Sequence, residues 1–393
     1  MSPAKGSSLP TLLRDRRPGI IELAIGEPEP ALLPGALMGR AASHVLTDHG
    51  PDALAYGAPR GPGPLVRWLA EWLGRREGRP IEPEQLMITG GSSAALAEVC
   101  LMMTEPGELA LCETPTYHLA AQIFRDHRLD PRALVCDEAG IVPAALAERI
   151  DRASEEGQRV GLVYTVPTHG NPTGRTTPAA RRDELIAVCA DRGVLIVEDD
   201  PYREIFFDAP PPPLGGLERE AGVIRLGSFS KLLAPGLRLG WLLAASERVE
   251  RMLAAGWLDS GGGPNHMTAM IVHRVAEQGD LDRNLSEVSP AYAERAAALV
   301  GALREVLPEG SRLQPARGGF FVWVELPDGL DTGELLPRAE RAGVGFAPGF
   351  RFGLPGGPQP TSAMRLAFCG NSPDRLVEGV RRLGRALEDF GPS

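Results

Sequence analysis

Lysine occurs only twice in the 393 residues, at Lys5 and Lys231, against 39 arginines. A chain that uses arginine almost wherever it needs a positive charge has kept at position 231 a basic group that can lose its proton and add to a carbonyl carbon. A guanidinium does neither. Lys231 stands in Ser228-Phe229-Ser230-Lys231-Leu232-Leu233-Ala234-Pro235-Gly236-Leu237-Arg238. Two small hydroxyls, an amine and a guanidinium suit a small molecule bearing both an aldehyde and a phosphate. Pro235-Gly236 allows the sharp return that brings Arg238 back toward Lys231.

Placing these groups requires an α/β framework. Short apolar runs alternate with helical stretches, the pattern of a mostly parallel seven-stranded sheet flanked by helices on both faces. The expected strands are Gln85–Thr89, Leu109–Cys112, Ala133–Cys136, Gly161–Thr165, Val194–Glu198, Val223–Leu226 and Leu239–Leu243. Ser93–Met103 and Pro178–Asp191 are the expected helices between them. Lys231 then falls just beyond the end of a strand, where ligands bind in such sheets. A helical region to about Leu307, the strand-like Gly318–Glu325, a helix at Thr332–Ala342, short strands near Val344 and at Met364–Phe368, and a helix at Pro373–Glu388 give a smaller α+β lobe. The division expected is an irregular arm at 1–45, a large domain at 46–285 and a small one at 286–393.

Charge and composition exclude several functions. A net charge of −10 opposes a groove for nucleic-acid phosphates or a basic membrane patch. No apolar run reaches the roughly 18 residues of a membrane span, and Met1–Pro10 is too polar for a signal peptide. The expectation is a cytoplasmic protein. Five cysteines (Cys100, Cys112, Cys136, Cys189 and Cys369) without a C-x-x-C pair suggest neither a disulfide framework nor a metal site. They suit small buried apolar positions.

The segment around Lys231 resembles the cofactor-lysine motif of the fold-type I pyridoxal-phosphate enzymes, the class I/II aminotransferases, and further motifs follow in family order over residues 20–385. Thr89-Gly90-Gly91-Ser92-Ser93-Ala94 resembles the strand-to-helix turn that holds the cofactor phosphate, and a helix N-terminus does offer free N–H groups to an anion. The family usually has Gln where this chain has Ala94, so Ser92, Ser93 and backbone N–H groups would carry that contact, completed by Ser228, Ser230 and Arg238. Glu113-Thr114-Pro115-Thr116-Tyr117 resembles the motif whose aromatic ring, here Tyr117, stacks on the pyridine. Asn171, in Pro167-Thr168-His169-Gly170-Asn171-Pro172-Thr173-Gly174, would bind the phenolic oxygen, with His169 expected as a solvated loop residue and a place in the pocket the alternative.

In Glu198-Asp199-Asp200-Pro201-Tyr202, the D-x-x-Y spacing of the family selects Asp199 to face the ring nitrogen and Tyr202 to reach the phenolic oxygen. A carboxylate there keeps the ring protonated, hence an electron sink. Asp200 is expected in a turn or cap. Arg365, in Met364-Arg365-Leu366-Ala367-Phe368, would fork onto a substrate α-carboxylate, and Gly26, in Ala24-Ile25-Gly26-Glu27-Pro28, would lie beside the substrate. Tyr56 resembles the tyrosine that reaches a neighbouring subunit's phosphate, which implies a homodimer with shared sites. Asp259–His266 departs from the family pattern. It is expected to be a flexible loop between lobes, with tuning of substrate choice by Asn265 and His266 the alternative.

The resemblance implies pyridoxal 5′-phosphate held as a Schiff base on Lys231, and transfer of an amino group from an L-amino acid to a 2-oxo acid. Elimination, decarboxylation or oxidative deamination on the same scaffold remains open, because Lys231, Asp199 and Tyr202 would serve each alike. A ligand-sensing regulator with a DNA-binding domain is disfavoured by the acidic charge and the 25 residues before Gly26. A catalytically dead module is disfavoured by the nearly complete residue set. Arg14, Arg16, Arg17 and Arg351 are candidates for an acidic substrate side chain, with a solvated role favoured.

Overall fold

The computed structural model describes residues 17–211, 222–388 and 390. Lys5, Arg14, Arg16 and the Pro/Gly-rich stretch from residue 212 lie outside the described residues. The centre is a seven-stranded sheet: β1 (Leu86–Thr89), β2 (Leu109–Cys112), β3 (Asp130–Ala133), β4 (Val160–Thr165), β5 (Leu195–Asp199), β6 (Val223–Ser228) and β7 (Gly240–Leu243). Their spatial order is β1-β7-β6-β5-β4-β2-β3. The run from β6 to β3 is parallel, and β7 lies antiparallel between β6 and β1. Six C-terminal strand ends and the start of β7 therefore meet along one edge of the sheet.

Both faces of the sheet are covered, which explains why its strands are apolar runs rather than alternating ones. Ile196, Val223 and Trp241 belong to the core on one face, and Leu195, Val197, Ile224 and Leu242 to the core on the other. By this period of two, neighbouring polar residues at the strand ends are sent to opposite sides.

A second, antiparallel sheet has the order Arg312–Leu313, Phe321–Glu325, Ala363–Ala367, Ala347–Pro348. Its core also takes up helices Thr332–Arg341 and Pro373–Glu388 and part of Asp280–Val306. Ile21–Glu22 pairs in parallel with Val344–Gly345, and Ala367 N donates to Leu23 O at 2.7 Å. These bonds lead residues 24–27 from the second sheet to the edge of the first. Tyr202 and Ile205, just beyond β5, pack into the second core, so the two halves join beside Asp199.

Three expectations require correction. The third strand is Asp130–Ala133 rather than Ala133–Cys136; Cys136–Asp137 instead forms a small hairpin with Gly140–Ile141. The sheet edge tolerates Pro131, while the more apolar run leaves Val135 64% exposed. Gly35–Asp48, placed mostly in an irregular arm, is a helix running across position 45. Pro34 precedes it, and Ala41 and Val45, four residues apart, fill its buried face. Asp259–His266 is not simply a loop: helix Gly256–Gly261 ends within it and helix His266–Glu277 begins there. Four of the five cysteines are buried, and all five are free thiols. Among the described residues there is no cluster suited to a metal ion and no helix long and apolar enough to cross a membrane.

Candidate active site

A cavity of about 310 Å³ lies at the edge where the strand ends meet. At one end, helix Ser92–Met103 starts after Gly91 without a side-chain cap, and Ser92 and Ser93 line the cavity. An uncapped helix start leaves N–H donors for an anion. Ser228, at the end of β6, accepts a hydrogen bond from Ser230 N at 3.1 Å, which fixes the turn into Lys231. Arg238, just before β7, completes this end. Its guanidinium passes so close to Gly91 that a Cβ there would stand 3.1 Å from Nη2. Gly91 also has φ 97, open to glycine at little cost.

The centre of the cavity holds the titratable groups. Asp199 is the last residue of β5, where Oδ2 accepts from the Tyr164 hydroxyl at 2.8 Å and buried Oδ1 has no hydrogen-bond partner. Burial pushes its carboxyl up to about 6, against the opposing pull of Tyr164, Ser92 and Lys231. Lys231 Nζ donates to Gly26 O at 3.0 Å. Burial pushes its pKa down, and the guanidiniums of Arg365 and Arg238 act in the same direction. A neutral, nucleophilic amine is thereby favoured. Burial pushes the Tyr117 phenol up to about 12 and raises that of Tyr202 well above the usual phenol range, so both remain protonated donors.

At the opposite end, Arg365 projects from the strand Ala363–Ala367. Nη1 donates to Asn171 Oδ1 at 2.7 Å and Nη2 to Ala24 O at 2.6 Å, while buried Nε has no partner. Its guanidinium carbon lies 4.1 Å from the Phe321 ring centre and 5.0 Å from that of Phe352. Burial lowers its pKa to about 10, which leaves it cationic at neutral pH. Its partner Asn171 sits on a loop closed by Gly170 N to Arg175 O and Gly174 N to Gly170 O, at 2.7 and 2.6 Å. Beneath that loop, buried Glu113 accepts from Thr165 Oγ1 at 2.7 Å and Val166 N at 3.3 Å.

Of the residues expected from sequence, Gly26, Ser92, Ser93, Tyr117, Asn171, Asp199, Tyr202, Ser228, Ser230, Lys231, Arg238 and Arg365 all line this one cavity. Ala94 and Tyr56 do not; Tyr56 is 87% exposed. His169, expected in solvent, is buried with φ 48 and is pushed down to about 4, first by burial. Asp200, expected in a turn or cap, directly precedes the turn at 201–204 and is a buried carboxyl near Arg182 and Arg203. Arg17 is engaged by Glu340 at 2.6 Å and Glu22 at 3.0 Å, in the smaller sheet's half. Sequence reasoning missed Tyr164, His118 and Phe321. Tyr164 was within reach of the alternation rule: two residues beyond Leu162, it shares that residue's face of β4. His118 lines the cavity beside Tyr117, and burial with Arg365 and Arg351 pushes it down to about 3.

These residues fit pyridoxal 5′-phosphate. The helix start with Ser92, Ser93, Ser228, Ser230 and Arg238 suits its phosphate, and Lys231 suits its aldehyde. The unpartnered Asp199 Oδ1 suits a protonated ring nitrogen. Residues 18–383 match the family Aminotransferase class I and II. The 2-aminoadipate transaminase of Thermus thermophilus is 38% identical over 394 residues, covering 98% of this chain and 94% of that protein. Aromatic-amino-acid aminotransferase 1 of Thermococcus litoralis is 34% identical over 372 residues, covering 94% and 88%. The Pyrococcus horikoshii kynurenine aminotransferase, solved in complex with PMP, superposes with a TM-score of 0.88 at 32% identity, over 96% of this chain and 92% of that one. With geometry, family match and relatives in agreement, the chain belongs to the class I and II aminotransferases, fold-type I enzymes that use pyridoxal phosphate to transfer amino groups.

Proposed function

We propose that this protein moves the amino group of an L-amino acid to a 2-oxo acid, with Lys231 as the catalytic base and Arg365 as the α-carboxylate site. The observation that carries this reading is the convergence in one cavity of a partly buried amine, an unpartnered Asp199 oxygen and a guanidinium with a free Nε. Bound there, pyridoxal 5′-phosphate supplies an aldehyde and a ring able to take up the electron pair released at the substrate α-carbon. Asp199 Oδ1, which has no partner of its own, would hold the proton of the ring nitrogen. Asn171 and Tyr202 would hold the phenolic oxygen, and Tyr117 would cover the ring. Lys231 would hold the aldehyde and, as the base beside the substrate α-carbon, would carry the α-proton at Nζ.

Arg365 orients the amino acid by its carboxylate, which places the side chain near His118, Leu119 and Phe321. Those walls carry no acidic group, and the neutral His118 suits bulky uncharged or hydrogen-bonding side chains. The exposed Tyr56 and Leu54, at 87% and 72%, support a homodimer in which Tyr56 reaches the partner's phosphate end.

The test is an absorbance titration of the cofactor-loaded protein with single amino acids, in the absence of a 2-oxo acid, while oxygen and carbon dioxide are monitored. The expected result is conversion of the bound cofactor to its amine form, reversed by a 2-oxo acid. Turnover without a 2-oxo acid, with oxygen uptake or released carbon dioxide, would overturn the proposal in favour of oxidation or decarboxylation. Lys231→Ala should cut turnover by roughly 10²–10⁴-fold, the usual range for loss of a positioned acid–base group.

A further inference from the structure

The stretch Gly261-Gly262-Gly263-Pro264-Asn265-His266 contributes no residue to the cavity, yet it is tightly seated. Gly262, with φ 75, and Gly263 run against the backbone of residues 57–61. A Cβ on Gly262 would stand 1.9 Å from Gly57 O, and one on Gly263 would stand 2.8 Å from Ala58 O. Gly263 N donates to Ala58 O at 3.0 Å. His266 closes the same contact: its ring lies over Gly57, and Nε2 is 3.1 Å from Asp52 O. The glycines here therefore permit close backbone packing.

Between these anchors Asn265 takes up φ 53, and its Nδ2 donates to the backbone carbonyl of Arg238. Arg238 is itself left-handed, with φ 47. Such a conformation is disfavoured for arginine and persists only where its surroundings fix it. It is this backbone that sends the guanidinium past Gly91 into the cavity.

We infer that Asn265 is a positioning residue for the phosphate-binding arginine: its side-chain amide holds the Arg238 carbonyl and ties the phosphate end of the cavity to the segment bearing Tyr56. The inference rests on the assignment of Arg238 to the cofactor phosphate. Its consequence is that cofactor retention depends on a residue outside the cavity.

The experiment measures the dissociation constant of pyridoxal phosphate by titrating it into the cofactor-free protein, with inorganic phosphate as a competing probe. Asn265→Gly keeps the left-handed backbone at no steric cost and removes the amide. Asn265→Asp keeps the shape and turns an acceptor toward the carbonyl. Both should weaken the cofactor by about tenfold, the scale of one lost hydrogen bond, and weaken phosphate competition in parallel. Turnover at saturating cofactor should change less than affinity does. In an Arg238→Ala background, Asn265→Gly should add less than about a twofold change, because the two residues act through one contact. Unchanged affinity in both single variants, or a full additional loss in the Arg238→Ala background, would overturn the inference. Equal cofactor affinity in Arg238→Ala and wild type would instead overturn the underlying phosphate assignment.

Discussion

Strands β5 and β6 carry two groups of buried charges, one residue apart and on opposite faces. On one face Arg225 is paired with two carboxylates: Nε meets Glu198 at 2.9 Å, and Nη1 meets both Glu77 oxygens at 3.1 Å. Arg79 adds a further contact to Glu77 at 2.7 Å. On the other face Asp199 has one oxygen bound to Tyr164 and one without a partner, and the nearby Lys231 amine donates to a backbone carbonyl. Register explains the split, since Glu198 pairs across to Arg225 while Asp199 lies opposite Leu226. The same sheet thus builds a closed ionic joint and an open one. The open one is where binding and chemistry are expected, because an unsatisfied buried polar group is costly and has a ligand to gain from.

The largest effect that could break this contrast is that of Asp199→Asn. Turnover should fall by roughly 10²–10³-fold, as for loss of a preorganised electrostatic group. Stability should move the other way. With its pKa raised to about 6 by burial, Asp199 lends stability to the cofactor-free protein that is complete below about pH 4 and lost as pH rises through 6. Asparagine carries no such charge, so the variant should exceed wild type by about 3 kcal/mol at pH 8. That advantage should vanish toward pH 4, as read from urea midpoints of both proteins across pH. An advantage independent of pH would show that Asp199 is as well paired as Glu198.

Arg225→Met tests the closed joint. It leaves Glu77 and Glu198 buried without their shared partner, and the unfolding free energy should drop by about 3–5 kcal/mol. Cofactor affinity of the folded protein should stay within about twofold. A loss of affinity matching the loss of stability would mean that the two faces are energetically one site.

Tyr164→Phe sharpens the comparison with the smallest change. It removes the hydroxyl that donates to Asp199, so turnover should fall by about tenfold. Because that hydrogen bond holds the Asp199 pKa down, the acid limb of the pH–rate profile should move to higher pH. An unmoved limb would relocate the controlling group elsewhere.

Much of this arrangement was legible in the chain. Strongly apolar runs located six sheet strands to within two residues, since strands buried on both faces have little choice of composition. The edge strand was displaced because Asp130-Pro131-Arg132 lacks the apolar signal that the following residues supply. Helix Gly35–Asp48 was obscured by the prolines before it. Within the site, local motifs placed the residues whose neighbours in sequence share their task, such as Ser228, Ser230 and Lys231. Tyr164 was not found because its partner Asp199 is 35 residues away and reaches it only through strand pairing. Asn265 tolerates the left-handed region by its residue type, but its partner, the Arg238 carbonyl, is 27 residues away and nothing local announces it.

The arginine-for-lysine bias has a consequence for handling the protein. Among the described residues Lys231 is the one lysine, partly buried in the cavity and held to a carbonyl. Aldehydes and activated esters, which modify most proteins indiscriminately through surface amines, find almost no such targets on this one. Borohydride trapping should therefore give a tagged peptide at position 231 against little background, and sugar-rich media should leave the folded surface largely unglycated. The bias that makes Lys231 conspicuous in the sequence also gives the chemist a nearly single-address label.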